Sequence, residues 1–273
     1  MISALFSQTL VKITFLGTGT SQGIPVIGST HPVCLSTDAR DKRLRVSVLI
    51  EWEDYNYVID CGPDFRQQML STLSRKRTTE GDPAPLHGIL LTHEHADHVA
   101  GLDDIRPFVF RQGDMPIYAH KRVLKTLAER FDYIFTTENR YPGAPSVASK
   151  EVVNGVSITL GNIEVQPIEA YHGSLQVFGY RFQDIAYLTD VKTIADDEIE
   201  KLQGLDILVL NCLREEAHYT HLNVEEALDL VAKIKPKRTY LTHISHHLGF
   251  HAEAEQKLPK NVFLAYDGLT LTT

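Results

Sequence analysis

Short apolar runs, separated by polar turns, recur along both halves of the chain and predict strands with helices between them. In the first half, strands are predicted at 11–16, 46–51, 55–60, 88–92 and 115–119, with helices at 64–77 and 121–132. In the second half, strands are predicted at 156–160, 163–170, 177–182, 185–189, 207–211, 238–242, 262–266 and 269–272, with helices at 195–202 and 224–234. The Asp-Gly pair at 267–268 lies between the last two strands and predicts a hairpin.

Strand-rich halves with interspersed helices indicate an α+β fold of two sheets with helices outside. The longest predicted loop is 136–149, which Pro142, Gly143 and Pro145 interrupt. No linker rich in Pro or Gly divides the 273 residues, so we expect a single domain over 1–273.

Composition and charge narrow the class of protein. A hydrophobic fraction of 43% and a charged fraction of 23% are typical of a folded globular chain, not of a disordered or fibrous one. A net charge of −8 argues against a partner as large and acidic as a long nucleic acid. No apolar run reaches the ~18 residues of a membrane span, so no membrane association is expected. Three cysteines without a secretory signal indicate a cytoplasmic location.

Histidines are the unusual part of the composition: there are 13, and several cluster after the predicted strand 88–92. Residues i and i+2 of an extended segment point the same way, so His93 and His95 are expected to bind one ion together. Asp97 and His98 lie one step further, in the following turn, and are expected to face a second ion. Imidazole and carboxylate ligands suit zinc, manganese and iron(II).

Three further candidate ligands each follow a predicted strand: His172, Asp190 and His243. Each alone is unremarkable, since a single His or Asp after a strand is usually a turn or surface residue. Strand ends, however, are the places where side chains from different strands can converge at one edge of a sheet. Their occurrence together, in this order, favours a metal site.

These residues resemble the metallo-β-lactamase superfamily. The resemblance rests on His93-x-His95-x-Asp97-His98, followed by His172, Asp190 and His243, with Asp60 after an earlier strand. It implies an αβ/βα sandwich of two mixed sheets flanked by helices. It implies two divalent ions, zinc by default and manganese or iron as alternatives. One ion would be held by His93, His95 and His172 and the other by Asp97, His98 and His243. Asp190 would bridge both ions, and Asp60 would orient a ligand.

A closer resemblance is to the cyclic-phosphate phosphodiesterases, of the phosphoribosyl 1,2-cyclic phosphate phosphodiesterase type. It is carried by Gly17-Thr-Gly-Thr-Ser-Gln-Gly-Ile-Pro25, Pro32-Val33-Cys34, Ser36-Thr37-Asp38, Arg43-Leu44-Arg45, His221-Leu-Asn223 and Thr242-His243-Ile-Ser-His246. The resemblance implies a small cyclic or nucleotide-like phosphodiester substrate and a homodimer. It implies that a hydroxide shared by the two ions attacks phosphorus, with Asp97, Asp190 and His221 as catalytic residues. His221 would protonate the leaving oxygen.

Two assignments keep an alternative. His221 could simply be a helix-entry residue, although Asn223 can cap the helix in its place. The same resemblance implies a third, structural zinc, for which His31, Cys34 and His246 are the candidate ligands. Closed structural zinc sites use four ligands, and Ser29 and His31 stand where two cysteines would be expected. The alternative is a loop held by hydrogen bonds.

Other reactions of the same fold remain open. Thioester or lactone hydrolysis would use the same metals on a different bond. A tRNA 3′-processing endonuclease, as in ribonuclease Z, and a diiron redox protein are less favoured, because the chain has no obvious long basic arm and no flavin domain. β-Lactam hydrolysis is disfavoured by Asp190, since a Cys or Ser is typical at that position in enzymes that open β-lactams.

Overall fold

The structure, a computed structural model, describes residues 9–273. Its strands are β1 Lys12–Gly17, β2 Ser47–Trp52, β3 Tyr55–Ile59, β4 Gly88–Leu90, β5 Met115–Ala119, β6 Val147–Glu151, β7 Ile158–Leu160, β8 Ile163–His172, β9 Leu175–Phe182, β10 Ile185–Leu188, β11 Ile207–Asn211, β12 Arg238–Thr242, β13 Val262–Leu264 and β14 Thr270–Thr272. Its α-helices are α1 Pro32–Leu35, α2 Phe65–Ser71, α3 Ala96–Val99, α4 Arg106–Gln112, α5 Lys121–Arg130, α6 Asp132–Phe135, α7 Asp196–Glu200, α8 Val224–Ile234 and α9 His251–Glu255. Within residues 9–273, no helix is both long and apolar enough to cross a membrane.

The strands form two sheets of seven, and the two sheets are built alike. The first has the order β14-β1-β2-β3-β4-β5-β6 and the second β13-β12-β11-β10-β9-β8-β7. In each sheet the pairings on one side are antiparallel and those on the other side are parallel. The predicted pair of mixed sheets is therefore confirmed.

Alternating apolar side chains place helices outside both sheets. In β2, Val48 and Ile50 belong to the core between the sheets, whereas Leu49 points to the opposite face and packs with α2 to α6. In β11, Val209 lies in the shared core and Leu208 packs on the other side with α7, α8 and α9. A strand that is apolar on both faces must be covered on both, which gives the predicted αβ/βα sandwich.

The predicted hairpin at 267–268 is wrong. Strand β13 pairs with β12 in the second sheet, whereas β14 pairs with β1 in the first. The Asp-Gly turn therefore carries the chain from one sheet to the other. Asp267 explains the difference, because its carboxylate accepts hydrogen bonds from Thr18 and from the backbone of Leu44 and so faces the N-terminal loop.

Two element boundaries also differ from the prediction. The helix expected over 64–77 ends at Ser71 and continues only as a 3-10 turn at Leu73–Arg75. The loop expected over 136–149 ends earlier, because residues from Val147 onward form β6, the edge strand of the first sheet beside β5.

Candidate metal centre

The predicted ligands follow strands that end at one edge of the two sheets. In the first sheet, β3 leads to Asp60 and its parallel neighbour β4 leads to His93. In the second sheet, β8 ends at His172, while the parallel group of β10 to β12 leads to Asp190 and His243. Parallel neighbours end on the same side of a sheet, so the fold itself gathers these side chains.

Hydrogen bonds between the sheets hold the histidine segment in place. The hydroxyl of Tyr180 donates to the carbonyl of Leu91 at 2.8 Å, and the backbone N–H of Phe178 donates to the carbonyl of Thr92 at 3.0 Å. Both donors belong to β9 in the second sheet. The segment that carries His93 is thereby fixed relative to the strands that carry the other ligands.

His93 and His95 face each other, as their i, i+2 spacing predicts. Nε2 of His93 and Nδ1 of His95 lie 2.9 Å apart. His172 lies beside them, with its ring centroid 5.3 Å from that of His95, but the three predicted ligands do not form one of the groups of close ligand atoms in the described chain. Nδ1 of His172 donates to the carbonyl of Thr220 at 2.8 Å, which leaves its Nε2 free to bind an ion.

Asp60 orients His98. Nδ1 of His98 donates to Oδ2 of Asp60 at 2.7 Å, and both side chains are fully buried. The other nitrogen of His98, Nε2, then lies 3.3 Å from Oδ2 of Asp97 and 3.3 Å from Oδ2 of Asp190. His243 completes this second group, with its Nε2 3.9 Å from the same oxygen of Asp97.

Asp190 lies near candidate ligands of both predicted sets, because it shares one group of close ligand atoms with His93 and another with His172. Its Oδ1 is 3.3 Å from Nε2 of His243 and 3.8 Å from Nδ1 of His221, and its Oδ2 faces His98. Thr189 donates its hydroxyl to Oδ2 at 2.7 Å and so fixes the carboxylate. A carboxylate that meets side chains on both sides has the position that a bridging ligand needs.

An unusual backbone conformation sets the direction of three of these side chains. Asp60, Asp190 and His243 have φ values of 65°, 58° and 56°, in the left-handed region that only a few per cent of residues other than Gly adopt and in which Asn, Asp and His are enriched. Each lies directly after a strand or one residue beyond it, so the turn carries its side chain away from the usual alternation. Such conformations cost about 1–3 kcal/mol each and tend to be kept at functional sites.

One glycine permits the close approach of the metal-binding segment. A Cβ built on Gly62 would lie 2.0 Å from the carbonyl oxygen of Asp97. Any side chain at this position would therefore push the turn of Asp97 and His98 away from Asp60.

The charges of the centre are strongly coupled. Burial lowers the pKa of His93 well below its usual value, and the neighbouring His98 lowers it further. Burial alone would raise the pKa of Asp190 and lower that of His98. The attraction of His243 and His98 outweighs burial at Asp190, and the attraction of Asp190 outweighs it at His98, so the pKa of Asp190 lies well below and that of His98 well above the ordinary value. The carboxylate of Asp190 is therefore ionised, as a metal ligand must be.

His221 lies against this centre at the entrance to α8. Its ring centroid is 4.5 Å from that of His172 and 4.7 Å from that of His243. Burial, reinforced by His243, lowers the pKa of His221 to about 3. Asn223 caps the helix, accepting a hydrogen bond from the backbone N–H of Glu226 at 3.0 Å, so His221 is not needed as the cap.

The donor atoms fit divalent ions. Nε2 of His98, both ring nitrogens of His243 and Nδ1 of His221 are buried without a hydrogen-bond partner among residues 9–273, an arrangement that is costly unless something else pairs with them. Three groups of possible ligand atoms lie within 4.8 Å of one another: His93, His98 and Asp190; Asp97, His98 and His243; and His172, Asp190 and His221. The third group gives His221 a possible role as a ligand, which the sequence did not suggest.

The candidate structural site is only partly assembled. The rings of His31 and His246 lie 5.0 Å apart, and His247 lies beside both. Cys34, in contrast, accepts a hydrogen bond from the backbone N–H of Val26 through its Sγ. The three predicted ligands do not form a group of close donor atoms in the described chain, so the third zinc stays a prediction.

Several supporting residues were not foreseen. Thr92 donates its hydroxyl to Asp60 at 2.9 Å and lies 3.0 Å from Nδ1 of His93. Arg122 forms an ion pair with Glu94, between the two histidines, and donates to the carbonyl of Gln176. The polar Thr92 and Glu94 beside the histidines were a usable signal, whereas nothing in the sequence marked Arg122.

Comparisons with known proteins agree with the fold. Residues 55–244 match the family model described as "Beta-lactamase superfamily domain". The crystal structure of a diphosphatase from the PhnP family superimposes with a TM-score of 0.86 and 39% identity, covering 97% of both chains. Zinc-bound PqqB from Methylobacterium extorquens has the same fold, with a TM-score of 0.76 and 17% identity over 95% of this chain and 99% of that one.

A relative from Porphyromonas gingivalis is named an octanoyltransferase. It is 38% identical over 261 residues, which are 95% of this chain and 51% of that protein. The chain spans about half the length of the curated relatives it matches, so the name describes a protein with much additional sequence. The family match over 55–244 and the shared two-sheet architecture lead to one conclusion: this chain belongs to the β-lactamase superfamily, with the metallo-β-lactamase fold.

Proposed function

We propose that the protein is a metal-dependent phosphodiesterase that hydrolyses a small cyclic or nucleotide-like phosphodiester. The observation that carries the proposal is the position of Asp190, which lies near His93 and His172 of one predicted ligand set, near His98 and His243 of the other, and 3.8 Å from His221. Seven candidate ligands would hold two divalent ions: His93, His95, Asp97, His98, His172, Asp190 and His243. Bound there, two such ions would activate water and stabilise negative charge at phosphorus.

His221 supplies the feature that separates a phosphodiesterase from other hydrolases of this fold. The alkoxide that leaves a phosphodiester is a poor leaving group, so its departure needs a proton. General-acid catalysis of this kind contributes about 10²–10⁴-fold. The ring of His221 contacts those of His172 and His243, which places it beside both ligand sets and in reach of a substrate held there.

Acting as an acid requires His221 to carry a proton. Burial keeps the ring neutral in the free protein at neutral pH. A phosphodiester brings negative charge into the centre, and a nearby negative charge favours the protonated ring. As the proposed acid, His221 would take up its proton with such a charge bound beside it.

A second candidate is hydrolysis of a phosphoanhydride, which the similarity to the PhnP-family diphosphatase favours. Attack again occurs at phosphorus, but the leaving group is a phosphate, which departs more readily than an alkoxide. Thioester and lactone hydrolysis remain the alternatives that use the same ligands on carbon. A long RNA substrate is not proposed, because the net charge of −8 disfavours it.

The test compares substrates whose leaving groups differ. Purified protein with quantified metal would be assayed on bis-p-nitrophenyl phosphate and on a 2′,3′-cyclic nucleotide, with His221→Ala, His218→Ala and Asp190→Ala beside the wild type. We expect His221→Ala to lose about 10²–10⁴-fold on the cyclic nucleotide and much less on the nitrophenyl ester, whose leaving group needs no proton. His218→Ala, which changes a neighbouring imidazole, is the matched control, and Asp190→Ala should lose both activities.

Three results would contradict the proposal. Hydrolysis of a thioester or lactone, without hydrolysis of any phosphodiester, would mean that the metal centre catalyses attack at carbon and not at phosphorus. Faster turnover of a nucleoside diphosphate than of either diester would favour the diphosphatase reading. Equal losses on both diesters in His221→Ala, together with reduced metal content, would make His221 a ligand and not an acid.

A further inference from the structure

Residues 214–221, here called the His221 loop, form a compact loop between β11 and α8. Its two ends are tied together. The backbone N–H of Leu213 donates to the carbonyl of Leu222 at 2.9 Å, and that of Val224 donates to the carbonyl of Arg214 at 3.1 Å. A loop closed in this way presents its side chains at fixed positions.

Tyr219 on this loop is exposed to an unusual degree. It is 85% exposed, against 48% for Tyr141 and 39% for Tyr171. A large aromatic side chain gains stability from burial, and Tyr219 gains almost none. Its neighbour His218 also lies outside the core, with its ring 5.1 Å from that of His221. The loop thus presents one ring beside the candidate acid and a second, exposed ring on the adjacent residue.

Tyr219 stands at the rim of the metal centre. A Cβ built on Gly173 would lie 3.8 Å from Cε1 of Tyr219 and 3.1 Å from the side chain of Thr220. Gly173 directly follows His172, whose Nδ1 donates to the carbonyl of Thr220. One edge of the tyrosine ring therefore lies within a few ångströms of the turn after a predicted ligand.

We propose that Tyr219 is a specificity-determining residue that stacks against the base of a nucleotide substrate. This inference rests on the proposed function, which places the phosphodiester among the ligands inside the rim. A base attached to that diester is flat and apolar on its faces, and stacking of a base on an aromatic ring is worth about 1–3 kcal/mol. A side chain carried by a closed loop can stack without first ordering the backbone around it. The natural substrate is then a nucleotide diester, not an aliphatic cyclic phosphate.

Two substrates that share the reacting ring, but of which only one has a base, distinguish an effect on base binding from an effect on the hydrolysis itself. 2′,3′-Cyclic AMP and glycerol 1,2-cyclic phosphate both contain a five-membered cyclic diester, and only the first carries a base. The kinetic constants of both would be measured for the wild type, Tyr219→Ala, Tyr219→Phe and Tyr141→Ala. Tyr141, which stacks on Tyr133, is also exposed and serves as the control tyrosine.

We expect Tyr219→Ala to lower kcat/KM for the cyclic nucleotide by roughly 5–100-fold, mainly through KM, and to leave the glycerol ester within about twofold. Tyr219→Phe keeps the ring and should keep the activity. Equal losses on both substrates would overturn the inference, because the ring would then only support the loop. The inference would also be overturned if only Tyr141→Ala lost activity on the cyclic nucleotide, or if neither Tyr141→Ala nor Tyr219→Ala did.

A binding measurement separates failure of the inference from failure of the proposed function. The affinities of metal-loaded protein for AMP and for ribose 5-phosphate would be compared by calorimetry. A preference for AMP that Tyr219→Ala abolishes and Tyr219→Phe retains supports stacking, even if neither cyclic ester is hydrolysed. Equal affinities of the wild type for the two compounds would refute stacking, whatever the activity assays show.

Discussion

Asp60 holds two imidazoles that belong to different predicted ligand sets. It accepts a hydrogen bond from Nδ1 of His98 at 2.7 Å, and the hydroxyl of Thr92 connects it to Nδ1 of His93. An imidazole that donates one ring N–H to a carboxylate has its other nitrogen oriented for a metal. One buried carboxylate thus orients a candidate ligand in each predicted set.

Asp60→Asn should weaken metal binding by about 10–100-fold, the usual effect of losing such an orienting group. The amide has one accepting oxygen, so if that oxygen serves His98 and the hydroxyl of Thr92, its NH2 group faces the backbone N–H of Thr92, which donates to Oδ1 of Asp60 at 2.9 Å. Competition with a chelator of known affinity measures the change. Glu198→Gln is the matched control, since Glu198 is also a buried, hydrogen-bonded carboxylate but pairs with Lys201 and Asn154. Unchanged affinity in Asp60→Asn would contradict the prediction.

Metal removal should destabilise the folded protein. A ligand that binds only the native state at 100 times its Kd adds about 2.7 kcal/mol to the free energy of unfolding. Chelation should therefore lower the Tm, by roughly 5–10 °C for a chain of this size. Asp190→Ala, which loses the ligand shared by both sets, should show a much smaller difference between metal-loaded and chelated samples. An identical shift in this variant would mean that the ions bind elsewhere.

Arg43 should be among the most sensitive residues for stability. Its guanidinium is buried and donates to the hydroxyl of Thr18 at 2.7 Å and to the carbonyl of Ala265 at 2.6 Å, and it contacts Nδ1 of His251 at 3.0 Å. Removing one member of such a buried network costs about 3–5 kcal/mol.

Thermal melts of Arg43→Met should show a Tm lower by roughly 10 °C. The comparison is Arg40→Met, which breaks the more exposed ion pair of Arg40 with Asp38 and should leave the Tm almost unchanged, because exposed ion pairs contribute little to stability. Similar Tm values for both variants would rule out a structural role for the buried guanidinium.

Asp267 should make stability depend on pH between about 4 and 6. Burial raises the pKa of its carboxyl from near 3.8 to about 6, against the opposing hydrogen bonds from Leu44 and Thr18. The folded protein therefore binds the proton more tightly than the unfolded chain does. Proton binding by Asp267 therefore stabilises the folded protein fully below pH 3.8, and this contribution to the free energy of unfolding is lost as the pH rises through 6.

The measurement is denaturant unfolding across this pH range for the wild type and Asp267→Asn. The variant does not titrate, so the free energy of unfolding of the wild type should fall by about 1–3 kcal/mol relative to the variant as the pH rises. A constant difference between the two proteins across the range would contradict the raised pKa. The hydrogen bond that Asp267→Asn loses lowers its free energy of unfolding equally at every pH, so this loss does not produce a pH dependence.

The sequence predicted the fold and the gathering of the ligands because both depend on local patterns. Apolar alternation marked the strands, and His93, Asp190 and His243 each follow one directly. The prediction at 267–268 was wrong because the Asp-Gly pair is locally typical of a hairpin. Its course between the two sheets depends on contacts with Thr18 and Leu44, which are distant in the sequence. Arg122 was missed for the same reason, since its contact with Glu94 joins parts of the chain 28 residues apart. The single domain and the homodimer stay predictions.

The pairing of β14 with β1 also sets when the molecule can be completed during synthesis. The side-chain oxygens of Thr14 and Thr270 lie 3.1 Å apart, although 256 residues separate them in the chain. At about 5–20 residues per second, a ribosome delivers the second strand roughly 13–50 s after the first. Until then β1 has an unpaired edge, which is the kind of surface that recruits foreign strands. We therefore expect the nascent chain to be most open to pairing with foreign strands while β1 is made and β14 is not.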